Sequence, residues 1–197
     1  MATQNISYLD AVNKCLTTVG LAPVNTIINA PPEAALARQE IDNEHHKLLS
    51  VGFRWNTDRN VTLKRNTDGE IPVSEDVIEV RIDRRLHPNV DPVVRGDRLY
   101  NLIGGTYVFE KDLDRVSVVR HLEWYELPEP AKMFIMYNAV ASFASSLMPD
   151  YVQSRENQEA IRRAWVALRA SDIRGASANG LRSAPAARVF HPNYRPI

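Results

Sequence analysis

Residues Glu129 to Met148, EPAKMFIMYNAVASFASSLM, form the longest apolar run in the chain, and no charged residue follows Lys132 within it. Pro130 suits a first helical turn, where its missing N–H is not needed, and Pro149 forbids continuation. In between, apolar side chains cover nearly the whole circumference of a helix, and a helix apolar all round belongs inside a core. A membrane span would need about 20 clean apolar residues. Lys132, Asn138 and three serines stand against that. The run is therefore expected to be a central buried helix against which the rest of the chain packs.

With 197 residues, the chain can build one good core, or a core with an appended subdomain. Its 24 basic and 24 acidic side chains cancel. No whole-protein field draws it to nucleic acid or to an anionic membrane. A single cysteine, Cys15, gives no disulfide framework and fits a reducing compartment. The first ten residues lack the basic region and apolar run of a signal peptide. A cytoplasmic protein, or one assembled in cytoplasm, is expected.

Ser7 can cap the first helix, with Asp10 supporting its positive end. Leu9, Val12, Leu16 and Val19 make one apolar stripe, and Gly20 and Pro23 close the helix. Cys15 sits beside the stripe as a small buried hydrophobe. Pro31 and Pro32 lead into a second helix, Glu33 to about Leu49, with Ala34, Ala37, Ile41 and Leu48 inward. His45 and His46 point about 100 degrees apart on such a helix. No histidine lies four residues from either, so no metal site is expected.

From Phe53 to about Trp124 the pattern becomes strands and turns. Asp68-Gly69 is a tight-turn signal, and Val77 to Ile82 alternates apolar and charged residues at a period of two. Residues 84–97 read as an irregular polar segment. The clearest hairpin is expected at Leu99–Ile103 and Thr106–Phe109, turning at Gly104-Gly105, with another strand at Val116–Val119. A small antiparallel sheet or barrel follows. Past the apolar helix, Asp150 can cap a fourth helix to about Ile173, with Ile161, Ala164 and Leu168 inward. Trp165 either laps the core or faces a partner. Residues 175–197 show no helical or strand period and carry Arg182, Arg188 and Arg195 with no acid. They are either a loose tail or an arm that orders on a partner, anchored by Phe190 and Tyr194.

The expected class is α+β. A four-helix bundle (1–53 and 127–174) carries a small antiparallel β insertion lobe (54–126) and an extended C-terminal arm (175–197). Ala139, Ala141, Ala144 and Ser145 are small enough to let another helix approach the central one closely. Ala139, Phe143 and Trp165 are the candidate subunit-interface residues.

The sequence has no GxSxG elbow, no Walker-type phosphate loop, no HExxH and no Cys–His metal framework. No catalytic, metal or cofactor residue is assigned. Carboxylate pairs such as Asp112 with Asp114, or Glu123 with Glu126, could suggest acid–base work, but they lie in a polar loop and ahead of a helix, and a glycosidase needs two carboxyls at a defined separation. Arg81, Arg84, Arg85, Arg95 and Arg98 cluster, but Glu79, Asp83, Asp91 and Asp97 interleave with them. That reads as a mixed solvated face.

The stretch Leu9 to Thr26, LDAVNKCLTTVGLAPVNT, resembles the N-terminal helix and turn of the tail tubular protein A family, the head-to-tail adaptors of short-tailed bacteriophages. The likeness continues through Gly52-Phe53-Arg54-Trp55-Asn56, the double-glycine segment Leu102–Phe109 and the step Leu127-Pro128-Glu129 into the apolar helix. The resemblance implies a virion structural protein, not an enzyme. It implies a homo-oligomeric ring of twelve subunits below the portal protein that continues the channel used in DNA ejection. A tail nozzle protein binds beneath, and tail fibres attach at the side in many members. Contact with DNA would be transient and non-specific, and no membrane is involved. On this reading Arg182, Arg188, Phe190 and Tyr194 are the candidate portal-binding residues. The competing reading is a virion-associated polysaccharide or peptidoglycan hydrolase.

Overall fold

The computed structural model describes residues 5–148 and 155–180. The fold is mixed α/β, with four α-helices and small antiparallel sheets among the described residues. In chain order these are α1 (Tyr8–Thr18), α2 (Pro32–Leu49), β1 (Thr57–Leu63), β2 (Val77–Arg81), β3 (Pro92–Arg95), β4 (Arg98–Asn101), β5 (Leu113–Arg120), α3 (Glu129–Leu147) and α4 (Arg155–Gly180). Short 3-10 turns at Arg54–Asn56 and Trp124–Glu126 stand where the chain passes between helices and strands.

The first helix starts and stops as its sequence dictates. Ser7 Oγ accepts from the Asp10 backbone N–H at 3.1 Å, and the Asp10 carboxylate accepts from the Ser7 N–H at 3.0 Å. Gly20, at a φ of +81°, reverses the chain so that the Leu21 N–H reaches the Leu16 carbonyl at 3.0 Å. Asn13 then pins the exit, donating to the Val24 carbonyl at 2.9 Å and accepting from its N–H at 2.7 Å.

The expected central helix is central. α3 packs against α1, α2 and α4, and Ala131, Ile135, Met136, Ala139, Val140, Phe143 and Ala144 are buried along it. The surprise is Lys132, only 1% exposed. Its ammonium bonds Asn5 Oδ1 and lies 3.8 Å from Glu129. Glu129 in turn accepts from the Ile6 N–H at 2.8 Å, and Trp124 Nε1 donates to the Ile6 carbonyl at 3.0 Å. The N-terminal segment is thus strapped across the start of α3.

The strands differ from expectation. A three-stranded sheet runs β1-β5-β2 and a two-stranded one pairs β3 with β4, all antiparallel. The real hairpin turns at Gly96-Asp97, because Arg95 pairs with Arg98 and Pro92 with Asn101. Residues 84–97 are therefore not irregular throughout. The double-glycine segment supplies isolated bridges, Asn101 with Thr106 and Glu70 with Val108. Gly104-Gly105 was the stronger turn signal, but β3 offered β4 a better-matched partner. The last helix also departs from expectation, continuing to Gly180. Residues 175–180 belong to that helix, and the rest of the predicted arm, 181–197, lies outside the described residues, as does Asp150.

Two apolar clusters result. One joins the helices with Phe53, Trp124 and Leu127, and the other gathers Ile71, Val80, Leu99, Phe109, Leu113, Val116 and Val118 between the strands. Asn56, 2% exposed, sits at the junction. Its Nδ2 donates to the Leu49 carbonyl at 2.9 Å and to the Arg120 carbonyl at 3.0 Å. Replacing Asn56 by Leu removes the donor to the part-buried Arg120 carbonyl, at about 1–3 kcal/mol, while the Leu49 carbonyl keeps the Gly52 N–H at 3.1 Å. The Asn56→Leu chain should unfold at a clearly lower urea midpoint while its far-UV circular dichroism stays native. An unchanged midpoint would show that the clip contributes nothing.

Candidate assembly surfaces

The carboxylates suggested for acid–base work are occupied with structure. Asp112 accepts from the Arg65 backbone N–H at 3.1 Å, and Asp114 from the Thr62 hydroxyl at 2.8 Å. Glu123 and Glu126 cap the short turn between them, the Glu126 carboxylate accepting from the Glu123 N–H at 2.8 Å. Among the described residues, no group of three or more His, Cys, Asp or Glu side chains is placed to hold a metal ion. No helix there is long and apolar enough to cross a membrane.

The arginines of the strand region are mostly paired. Arg81 meets Glu79 at 2.6 Å, Arg84 meets Asp91 at 3.7 Å, and Arg98 reaches both oxygens of Glu70 at 2.7 and 2.8 Å. Arg95 lies 3.8 Å above the Tyr100 ring, Arg98 4.6 Å from Tyr107, and the two tyrosines meet edge to face at 4.9 Å. This is a mixed, internally neutralised face, as the interleaved charges predicted. It holds its side chains in place rather than leaving bare cations for phosphate.

Of the candidate interface residues, Ala139 and Phe143 are fully buried in the chain's own helical core. Neither side chain has surface left to offer a neighbouring subunit in this conformation. Of the small residues of α3, Ala139 and Ala144 are buried within the chain, whereas Ala141 is half-buried and Ser145 exposed. Trp165 laps the helical core with part of its ring left at the surface. It is half-buried, 5.0 Å from Phe134 and 6.1 Å from Phe53, with Arg169 5.6 Å over its ring. Arg182, Arg188, Phe190 and Tyr194, the candidate portal contacts, lie outside the described residues.

Other apolar surface was not picked out from sequence. Leu102 and Ile103, at the double-glycine turn, are 49% and 60% exposed, and Val108 beside them 54%. Tyr125, in the turn before α3, is 75% exposed. On α4, Val166 is 59% exposed, in an open groove of about 620 Å³ rimmed by Arg162, Arg163 and Arg174. Only the failure of these side chains to find a partner within the fold distinguishes them, and periodicity does not carry that information.

A match to the family described as Tail tubular protein covers residues 9–177. The chain is 31% identical over 164 residues to Tail tubular protein A of Klebsiella phage KP34, covering 82% of this chain and 84% of that relative.

Two outcomes follow for the isolated chain. Phe143→Ala should destabilise it by about 3–5 kcal/mol, the usual cost of emptying a buried aromatic site, read from urea unfolding of the monomer. A near-neutral result would mean that Phe143 is not core. Cys15 is fully buried, and burial first, with Glu40 adding to it, pushes its thiol up to about 12. It should resist iodoacetamide at pH 8 in native protein and react once urea unfolds the chain. Stoichiometric labelling without denaturant would contradict the burial.

Proposed function

The chain belongs to the tail tubular protein family, whose members are structural components of phage tails, and on that premise we propose that it is a head-to-tail adaptor of a virion. Copies form a ring, a dodecamer on the family resemblance, that joins the portal protein to the tail nozzle protein and continues the DNA channel. Tail fibres are side partners. Assembly takes place in the host cytoplasm.

The observation that carries this reading is the extent of the match. It runs through all four helices and all five strands, so the whole architecture is of the family's kind and not one motif within it. Family membership likewise supports a structural rather than enzymatic role.

In this reading the helices, 1–53 and 127–174, act as a four-helix bundle that builds the ring wall, and the strand region, 54–126, acts as a lobe that meets nozzle or fibres. The outward face of α4, with Trp165 and the Val166 groove, is the part of the interface set that keeps surface for a neighbour. The segment 181–197, with Arg182, Arg188, Phe190 and Tyr194, is the arm that reaches the portal.

Mixing the pure chain with its portal and imaging the product by electron microscopy should reveal a ring stacked on the portal. Removing 181–197 should abolish portal pull-down by at least tenfold while thermal unfolding stays cooperative. Unchanged portal capture by the shortened chain would overturn the arm assignment, and absence of any ring with the full chain would overturn the adaptor reading.

A further inference from the structure

Three histidines that are scattered in sequence meet in the fold. His45 and His46 come from α2, and His121 from the connection between β5 and α3. Ring centroids are 5.1 Å apart for His45 and His121, 4.8 Å for His46 and His121, and 6.3 Å for His45 and His46. His45 is 6% exposed. Its Nε2 and that of His121 are both buried without a hydrogen-bond partner. The cluster lies on the same seam that Asn56 clips, where the β5 end passes α2. Trp124 stands edge-on to His45 at 6.2 Å.

We propose that His45, His46 and His121 form an acid-released latch, closed while the rings are neutral and forced apart when protons enter the set. Two physical terms drive it. A charged imidazolium in a buried site lacks solvent, and a second or third charge within about 5–6 Å adds like-charge repulsion. The groups facing His45 define the balance. His121 and His46 oppose its charging, while Asp42 on α2 and the Leu122 backbone favour it. The Asp42 carboxylate is engaged by the Tyr8 hydroxyl of α1 at 2.7 Å, so it is not free to turn fully toward the imidazole.

Burial first, then the two neighbouring histidines, pushes His45 down to about 4 from its ordinary 6.5. The sign follows directly. Between those values the closed seam keeps His45 neutral, whereas an opened seam lets it bind a proton. The open state therefore gains protons as pH falls, and the closed state is lost progressively from about 6.5 toward 4. Above about 7 the latch contributes fully. Each proton taken up on opening changes the opening constant about tenfold per pH unit within that window.

The test uses the full chain and needs no variant for its first arm. Proton–carbon NMR of the histidine rings between pH 8 and 4 should show His45 inflecting at least about 1 pH unit below its ordinary 6.5. Amide exchange at residues 45–49 and 120–124, corrected for the intrinsic rate, should reveal opening that rises about tenfold per pH unit below 6.5. His45→Leu removes the orphan ring nitrogen and the titration, and in it that pH dependence should vanish while neutral-pH protection is kept. His45 inflecting at its ordinary 6.5, or a seam that becomes better protected in acid, would overturn the latch. So would a His45→Leu chain that opens with the wild-type pH dependence. Because every readout is on the isolated chain, these failures leave the adaptor reading standing, and a failed portal assay leaves the latch standing.

Discussion

The chain crosses between its helices and its strands twice, and one carboxamide holds both crossings. Asn56 Nδ2 binds the last carbonyl of α2, at Leu49, and the last of β5, at Arg120. The Leu49 carbonyl also accepts from the Gly52 N–H at 3.1 Å, so the carboxamide adds a second donor there and ties it to the Arg120 carbonyl. Other bonds reinforce the same joint. Arg54 N–H donates to Asp172 of α4 at 2.9 Å, and Arg81 reaches the Val51 carbonyl at 3.3 Å. Gly52 lies between them at a φ of +74°, where a Cβ would meet the Arg81 guanidinium at 2.7 Å. A side chain there would strain the backbone and displace the arginine together.

Such a joint explains why two apolar clusters behave as parts of one framework. Ile78 on β2 packs against the helical cluster while its neighbours Val77 and Val80 face the strand cluster. Adjacent Val77 and Ile78 point to opposite faces, and the register shift between Val77 and Glu79 lets Val80 return to the side of Val77. Load applied to the strand region passes to the helices through short bonded contacts rather than through a free linker. The three-histidine seam lies beside the same joint.

The features legible in the sequence were those fixed by near neighbours. The apolar circumference of α3, the Ser7–Asp10 capping box and the Gly20 stop are set within a few residues, and the structure has them. Strand pairing is decided between segments. The Gly104-Gly105 signal therefore outranked Gly96-Asp97 although β4 pairs upstream. Lys132 looked like an ordinary charge because its partner, Asn5, is 127 residues away. His121 looked isolated because its companions are on α2, and Ala139 looked available because nothing local says which flank of an apolar helix the chain itself will cover. The contacts of Trp165 with Phe53 and Phe134 likewise come from segments distant in the sequence.

The strap over the start of α3 also bears on the order in which the protein can form on a ribosome. Ile6 and Glu129 are separated by 123 residues, and closing so long a loop costs entropy before any contact repays it. The strand cluster draws its members from residues 61–118, all synthesised before α3 emerges. The helical cluster needs residues from both ends of the chain, from Ala11 to Leu168. During synthesis the strand region can therefore close first, with α1 and α2 waiting, apolar faces uncovered, until α3 arrives. The most exposed stage of this protein's life is that interval, and a chaperone that shields the first 50 or so residues would have its largest effect there.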